Sequence, residues 1–406
     1  MMLITAIILS VIWLLFYVHG KKALQTGKIY FIFLFFMILP SWLQPDWMLF
    51  WIETEVNYFY IIIFGLLLMS GFYPWYIFDK YITRHKVRFE INPKKIKRLK
   101  VWFTVIIILS LYSIVYLLPY AIMGMILGAA ETRNIIKTGS LLPASIFTTL
   151  AVGFAALNIY CILFFYVSSL SPELKKYRFW LLLSSLSYIV ASSAVTGRDG
   201  LVVLPVFFLV FYLLFKSSYS FALQRVLKKS IIIMVIIMGV LMSIITASRF
   251  YANEDNDELF IGTLGYISQQ PYVFNTTIEK QNDFHGFELR FPLVNRIIGI
   301  PEHKISRSWG FETQFGTMYA EFYSIYGWWT LFFMAILFCT YYSFTIRYLL
   351  TKKKIWGAVL MFTVYLYIMI TGLFYCRAGS NTLINVFYIL LSVGPLFVRN
   401  YLKIKK

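Results

Sequence analysis

Blocks of consecutive apolar residues, separated by short polar segments, dominate the chain. The blocks run without helical or strand striping, and most approach the roughly 20 residues with which an α-helix crosses a bilayer core. Eleven helices are predicted, near Met2–Val18, Ile29–Trp51, Tyr58–Phe78, Val101–Met125, Leu142–Val167, Phe179–Val195, Leu201–Phe215, Ile231–Ala247, Phe322–Phe344, Ile355–Phe374 and Thr382–Phe397. Only helices and closed barrels satisfy every backbone polar group in lipid, and continuous runs point to helices. Many tyrosines and phenylalanines stand at block ends, the level an amphipathic ring prefers. The expected fold is an all-α polytopic integral membrane protein. Residues 1–247 hold helices one to eight, 248–321 a large loop, and 322–406 helices nine to eleven and a basic tail.

Charge orients the bundle. Six segments are basic: Lys21–Lys28, Lys80–Lys100, Lys175–Arg178, Lys216–Lys229, Arg347–Lys354 and Arg399–Lys406. Together they carry 27 of the 37 lysines and arginines, with only Asp79, Glu90 and Glu173 of the 18 acids in or beside them. With eleven spans, all six fall on one face, which the positive-inside rule makes cytoplasmic. The N-terminus is then outside and the C-terminus inside. The first block has no basic residue before it and Lys21–Lys22 after it, so it reads as a retained helix rather than a signal peptide.

The chain is 60% hydrophobic and 14% charged, where a soluble domain carries about 25% charged residues. The net charge of +19 is therefore a topology signal that also suits anionic lipid headgroups. No nucleic-acid partner is expected. Cys161, Cys339 and Cys376 sit in or beside apolar blocks, and His19, His85, His285 and His303 are scattered. Neither set has metal-ligand or disulfide spacing, so no metal or other cofactor is expected.

The outer segments hold the remaining ten bases, seven of them arginine: Arg133, Arg198, Arg249, Arg290, Arg296, Arg307 and Arg377. Arginine's planar fork binds phosphate or carboxylate bidentately, which lysine cannot do. Arg198 (Thr196-Gly197-Arg198-Asp199-Gly200) and Arg377 (Tyr375-Cys376-Arg377-Ala378-Gly379) lie in very short glycine-containing connections. Glycine lets backbone amides approach a ligand, and the following helix offers its N-terminus to an anion. Arg249 ends the eighth block. Interfacial snorkelling is the other reading of each.

The outer segment from Ser248 to about Glu321 is the one soluble-like stretch, with aromatics interleaved among Gln and Asn. That mixture suits sugar rings, and equally an amphipathic lid. Arg290, Arg296 and Arg307 are weaker candidates for binding substrate there. Asp199, His285, His303 and Glu321 are the acid or base groups of this face; Glu321 is predicted to open the ninth helix, where a carboxylate is either functional or a favourable N-terminal charge.

Four features resemble the Wzy-type oligosaccharide repeat unit polymerases of O-antigen, capsule and enterobacterial common antigen, and occur in that family's order. They are the Gly-Arg turn Thr196–Gly200, the arginine-aromatic step Ser248–Tyr251, the Gly310–Gly327 stretch and the turn Arg377–Gly379. The resemblance covers Phe179 to the C-terminus. It implies a fold like the glycosyltransferase C superfamily, with one large periplasmic loop, in the bacterial inner membrane. It implies transfer of a growing glycan from undecaprenyl pyrophosphate to the non-reducing end of a new lipid-linked repeat unit, on the periplasmic face and without metal. Arg198, Arg249 and Arg377 would engage the pyrophosphate. Glu321, Asp199 and His285 are the candidate bases. A flippase and a chain-length regulator are the implied partners. An O-antigen ligase, using a loop histidine such as His285 or His303, is the nearest alternative. A lipid-linked oligosaccharide flippase follows, although no internal repeat is evident.

Overall fold

The computed structural model describes residues 2–38, 41, 55–138, 142–143, 145–194, 197, 199–250, 268–281, 284, 297–299, 317–373 and 382–404. Among them seven helices are long and apolar enough to cross a membrane: Met2–Gly20, Tyr58–Arg84, Pro93–Gly124, Asp199–Ser218, Phe221–Ser243, Trp328–Thr351 and Ile355–Gly372. The bent pair Ile146–Ala155 and Asn158–Ser168 makes an eighth if it counts as one span. At the other three expected positions the helices are shorter: Lys28–Ile38, the pair Tyr177–Ser184 and Ser187–Ser193, and Thr382–Val393. The chain divides into two compact units.

The first unit comprises residues 1–83, 253–351 and 364–392. It begins with α1 (Met2–Gly20) and α2 (Lys28–Ile38). The expected span from Tyr58 is two helices, α3 (Tyr58–Gly71) and α4 (Tyr73–Arg84), because Pro74 in the first turn of α4 has no N–H to extend the ladder. Helix ends leave carbonyls without intrahelical donors. Here three fully buried tyrosines donate to carbonyls of the last turn of α3: Tyr319 to Leu67 (2.7 Å), Tyr30 to Leu68 (2.8 Å) and Tyr365 to Gly71 (2.6 Å). Below the break, the buried carboxylate of Asp79 accepts from the Gln25 amide (2.8 Å), the Thr26 hydroxyl (2.7 Å) and the Gly27 amide (2.7 Å).

The second unit comprises residues 84–252, 352–363 and 393–406. Its first helix, α5 (Ile96–Thr138), is much longer than predicted. It packs against α6 (Ile146–Ala155) and α7 (Asn158–Ser168), then α8 (Tyr177–Ser184) and α9 (Ser187–Ser193). The Ser185 hydroxyl bonds back to the Leu182 carbonyl (2.6 Å) at the α8–α9 break, a known way to bend a helix. Next come α10 (Asp199–Phe215) and α11 (Phe221–Phe250). Helix α11 starts ten residues before the predicted block, so Arg225, Lys228 and Lys229 are helical rather than in a loop. A two-stranded antiparallel sheet, β1 (Phe89–Ile91) on β2 (Leu402–Ile404), pins the basic tail. No sequence signal announced it.

The large loop of the first unit differs from its expected form. Within it, α12 (Gln270–Lys280) is buried from Gln270 to Ile278. Tyr272 donates to the Ser41 carbonyl (2.6 Å), Phe274 packs on Phe64 (5.2 Å), and Asn275 accepts from the Asn57 amide (2.8 Å). At its far end the Ile278 carbonyl accepts from Tyr323 (3.3 Å). Tyr272 and Phe274, two aromatics of this loop, are thus consumed in packing. This part of the loop is a strap set into the unit, because its aromatic rings bury more surface against α3 than they would in water.

The ninth span is also revised. Helix α13 (Met318–Tyr326) stops at Gly327, and the long helix is α14 (Trp328–Thr351). Gly327 has φ 73° and ψ −147°, a backbone region essentially reserved for glycine, and a Cβ there would meet the Phe284 ring at 3.1 Å. Gly327→Ala is expected to cost about 1–3 kcal/mol, read as a lower thermal unfolding midpoint of the detergent-solubilised protein. Gly239→Ala, in open space on α11, is the control and leaves the midpoint unchanged or higher. The last helices are α15 (Ile355–Gly372) and α16 (Thr382–Val393).

Candidate functional site

In the second unit, the Gly-Arg turn leads from α9 into α10. The Gly197 amide donates to the Ser192 carbonyl (2.6 Å), and the Asp199 carboxylate accepts the Tyr188 hydroxyl. Gly200 sits against α9 so closely that a Cβ would lie 2.6 Å from Ser192 Oγ and 3.0 Å from Ile189 Cα. Only glycine allows this approach. The residues on both sides of Arg198 are therefore fixed by α9, and Asp199 is committed to Tyr188 and to the first turn of α10. As an anion at a helix N-terminus it also stabilises that turn.

In the first unit, α13 carries Glu321, half-buried between the buried Ala320 and Phe322. It lies in the first turn of this nine-residue helix, not at the head of a membrane-length one. Thr317 is the N-cap, but its side chain makes no capping bond. Gly372, ending α15, packs on Met318: a Cβ there would meet Met318 Sδ at 2.8 Å and Cβ at 3.1 Å. Burial pushes the phenols of Tyr272 and Tyr319 above the ordinary tyrosine range, so both remain donors.

Arg198, Arg377, His285, Arg290, Arg296, His303 and Arg307 lie outside the described residues. Arg249 is the penultimate residue of α11, its side chain likewise outside them. Of the nominated acids, Asp199 belongs to the second unit and Glu321 to the first. Among the described residues no group of three or more His, Cys, Asp or Glu is placed to hold a metal ion. Sequence reasoning missed Tyr188, the partner of Asp199, and Thr317, whose only signal was its position before an apolar run. It counted Asp79 merely as an acid beside a basic loop, since the three donors of that carboxylate lie more than 50 residues away.

These helices and this composition define a multi-pass α-helical membrane protein. Comparison takes the identity no further: no family model, curated protein or solved structure matches the chain.

Proposed function

We propose that the protein is a metal-independent glycosyltransferase that polymerises undecaprenyl-pyrophosphate-linked repeat units on the periplasmic face of the bacterial inner membrane. The observation that carries this reading is the Thr196–Gly200 turn, where Gly197 and Asp199 are each held by α9 on either side of an arginine. A snorkelling arginine needs no such fixed frame; an anion-binding arginine benefits from one, because preorganised donors stabilise charge without reorganising.

In this mechanism the non-reducing-end hydroxyl of the acceptor attacks the anomeric carbon of the donor glycan. The bond from that carbon to the pyrophosphate oxygen breaks, and the electron pair leaves on the pyrophosphate. Arginine supplies the stabilisation of the departing charge in place of a divalent cation, and Arg198, Arg249 and Arg377 are each a candidate for it. Glu321 takes the hydroxyl proton, a role that suits a half-buried carboxylate. Asp199, already bonded to Tyr188, holds the turn. The topology is N-terminus outside and C-terminus inside, and the partners are a flippase and a chain-length regulator.

The test is glycan ladder formation in cells of the native glycan background lacking their polymerase. Wild type is expected to restore the ladder. Absence of any ladder at normal protein level sinks the reading; glycan retained on the carrier and never passed to the lipopolysaccharide core then indicates the ligase.

A further inference from the structure

Helix α13 begins inside the first unit, not at its edge. Tyr319 reaches the Leu67 carbonyl in the last turn of α3, whereas Tyr323 packs on Trp328 (5.5 Å), which packs on Tyr60 (5.5 Å) in the first turn of α3. The two helices are therefore antiparallel, and α13 starts level with the α3–α4 break. Met369 and Gly372 of α15 close on the same level, Met369 on Gly71 and Gly372 on Met318.

This buried start is rich in donors that have nothing to bond among the described residues. Thr317 is 0% exposed, and its Oγ has no hydrogen-bond partner among the described residues. Met318, Tyr319 and Ala320 are buried too. Their amides are the first three of the helix; the earliest backbone bond is from the Glu321 amide to the Thr317 carbonyl, at 3.3 Å. Among the described residues these three amides have no acceptor. Buried N–H groups are almost always paired, because an unpaired one has given up its bonds to water for nothing. A threonine at the N-cap would ordinarily supply the cap itself, yet here it does not. The nearby carbonyls of α3 offer no relief, since Tyr30, Tyr319 and Tyr365 already donate to that helix end.

We propose that the N-terminus of α13, with the Thr317 hydroxyl and the Met318, Tyr319 and Ala320 amides, is a phosphate-binding site within the first unit. Four clustered donors at the positive end of a helix dipole match an oxyanion with several lone pairs, rather than a single hydroxyl. Interrupted helices whose N-termini end inside a bundle serve anionic groups in this way in other membrane proteins. Glu321, one turn further on, opposes the anion and sets a limit on its affinity. The inference rests on the transferase reading only for the source of the phosphate, which there is the lipid carrier.

The test uses the full chain in nanodiscs, with thermal unfolding followed in inorganic pyrophosphate and, separately, with a polyprenyl pyrophosphate in the bilayer. Wild type is expected to unfold at a higher temperature with one or both, and the effective arm identifies a free or lipid-borne source. Thr317→Val keeps the shape and deletes the hydroxyl. It is expected to leave the free protein as stable or more so, and to weaken the ligand by roughly tenfold, the worth of a hydrogen bond to a charged group. Glu321→Gln is expected to strengthen binding. No stabilisation of wild type in either arm, unchanged binding by Thr317→Val, or a free Thr317→Val protein less stable than wild type each overturns the site. Failure of the transferase reading shows instead in the ladder assay, so phosphate binding without a ladder leaves the site standing.

Discussion

Alanine at Arg198 or at Arg377 is expected to lower repeat-unit transfer by about 10²- to 10³-fold, the usual loss when one preorganised stabiliser of transition-state charge is removed. The pyrophosphate carries more negative charge in the transition state than in the bound substrate, so the loss falls on turnover more than on substrate affinity. Arg198→Lys keeps the charge but not the bidentate fork, and its rate should fall between those of wild type and alanine. The measurement is ladder length and intensity at matched protein levels, followed by transfer rate with purified lipid-linked substrate. Arg290→Ala, Arg296→Ala and Arg307→Ala, the weaker loop candidates, should shift affinity instead. A full ladder from both Arg198→Ala and Arg377→Ala would reduce these residues to interfacial anchors.

The second large effect is structural. Asp79→Leu is expected to destabilise the protein by about 3 kcal/mol or more, since three donors lose their acceptor and each unsatisfied group costs about 1–3 kcal/mol. The carboxylate ties the connection between α1 and α2 to α4. Its Oδ2 takes the Gln25 and Gly27 amides and its Oδ1 the Thr26 hydroxyl, which in turn accepts from the Trp75 indole at 2.7 Å. Gly27 fits only because it has no side chain: a Cβ would lie 2.7 Å from the Phe72 ring. Asp79→Asn should be milder, because the amide oxygen can still serve the two backbone donors. Recovery of monodisperse protein after detergent extraction, with the unfolding midpoint, measures both variants. Wild-type recovery of Asp79→Leu would show that water replaces the carboxylate.

Much of the helical layout was legible in the residues. Each predicted block contains helix, and Met2–Gly20 and Asp199–Phe215 match their blocks to within two residues at every end. What was not legible is where helices break. Pro74 and Gly327 are visible punctuation, yet both were read through as interior to a span or its approach. The breaks at Ala156–Leu157 and Ser185–Leu186 fall on no proline or glycine, and inside uniformly apolar segments periodicity has nothing to report. The site was legible only as residue types: arginines beside glycines, and acids near helix ends. That Asp199 meets Tyr188, and that Thr317 Oγ has no partner among the described residues, are facts of packing.

That the chain lies in a membrane as helices follows from the composition and length of its apolar blocks alone. Transfer of an apolar block out of water is a sum over its own residues, and so needs no knowledge of neighbours. Which polar groups inside are satisfied, and by whom, is set by how the helices pack. The Asp79 clasp, the tyrosines on the end of α3, the pairing of β1 with β2 and the open start of α13 each depend on residues distant in the chain. A hydrogen bond is directional and short, so its partner is fixed by how helices pack and not by what either segment is made of.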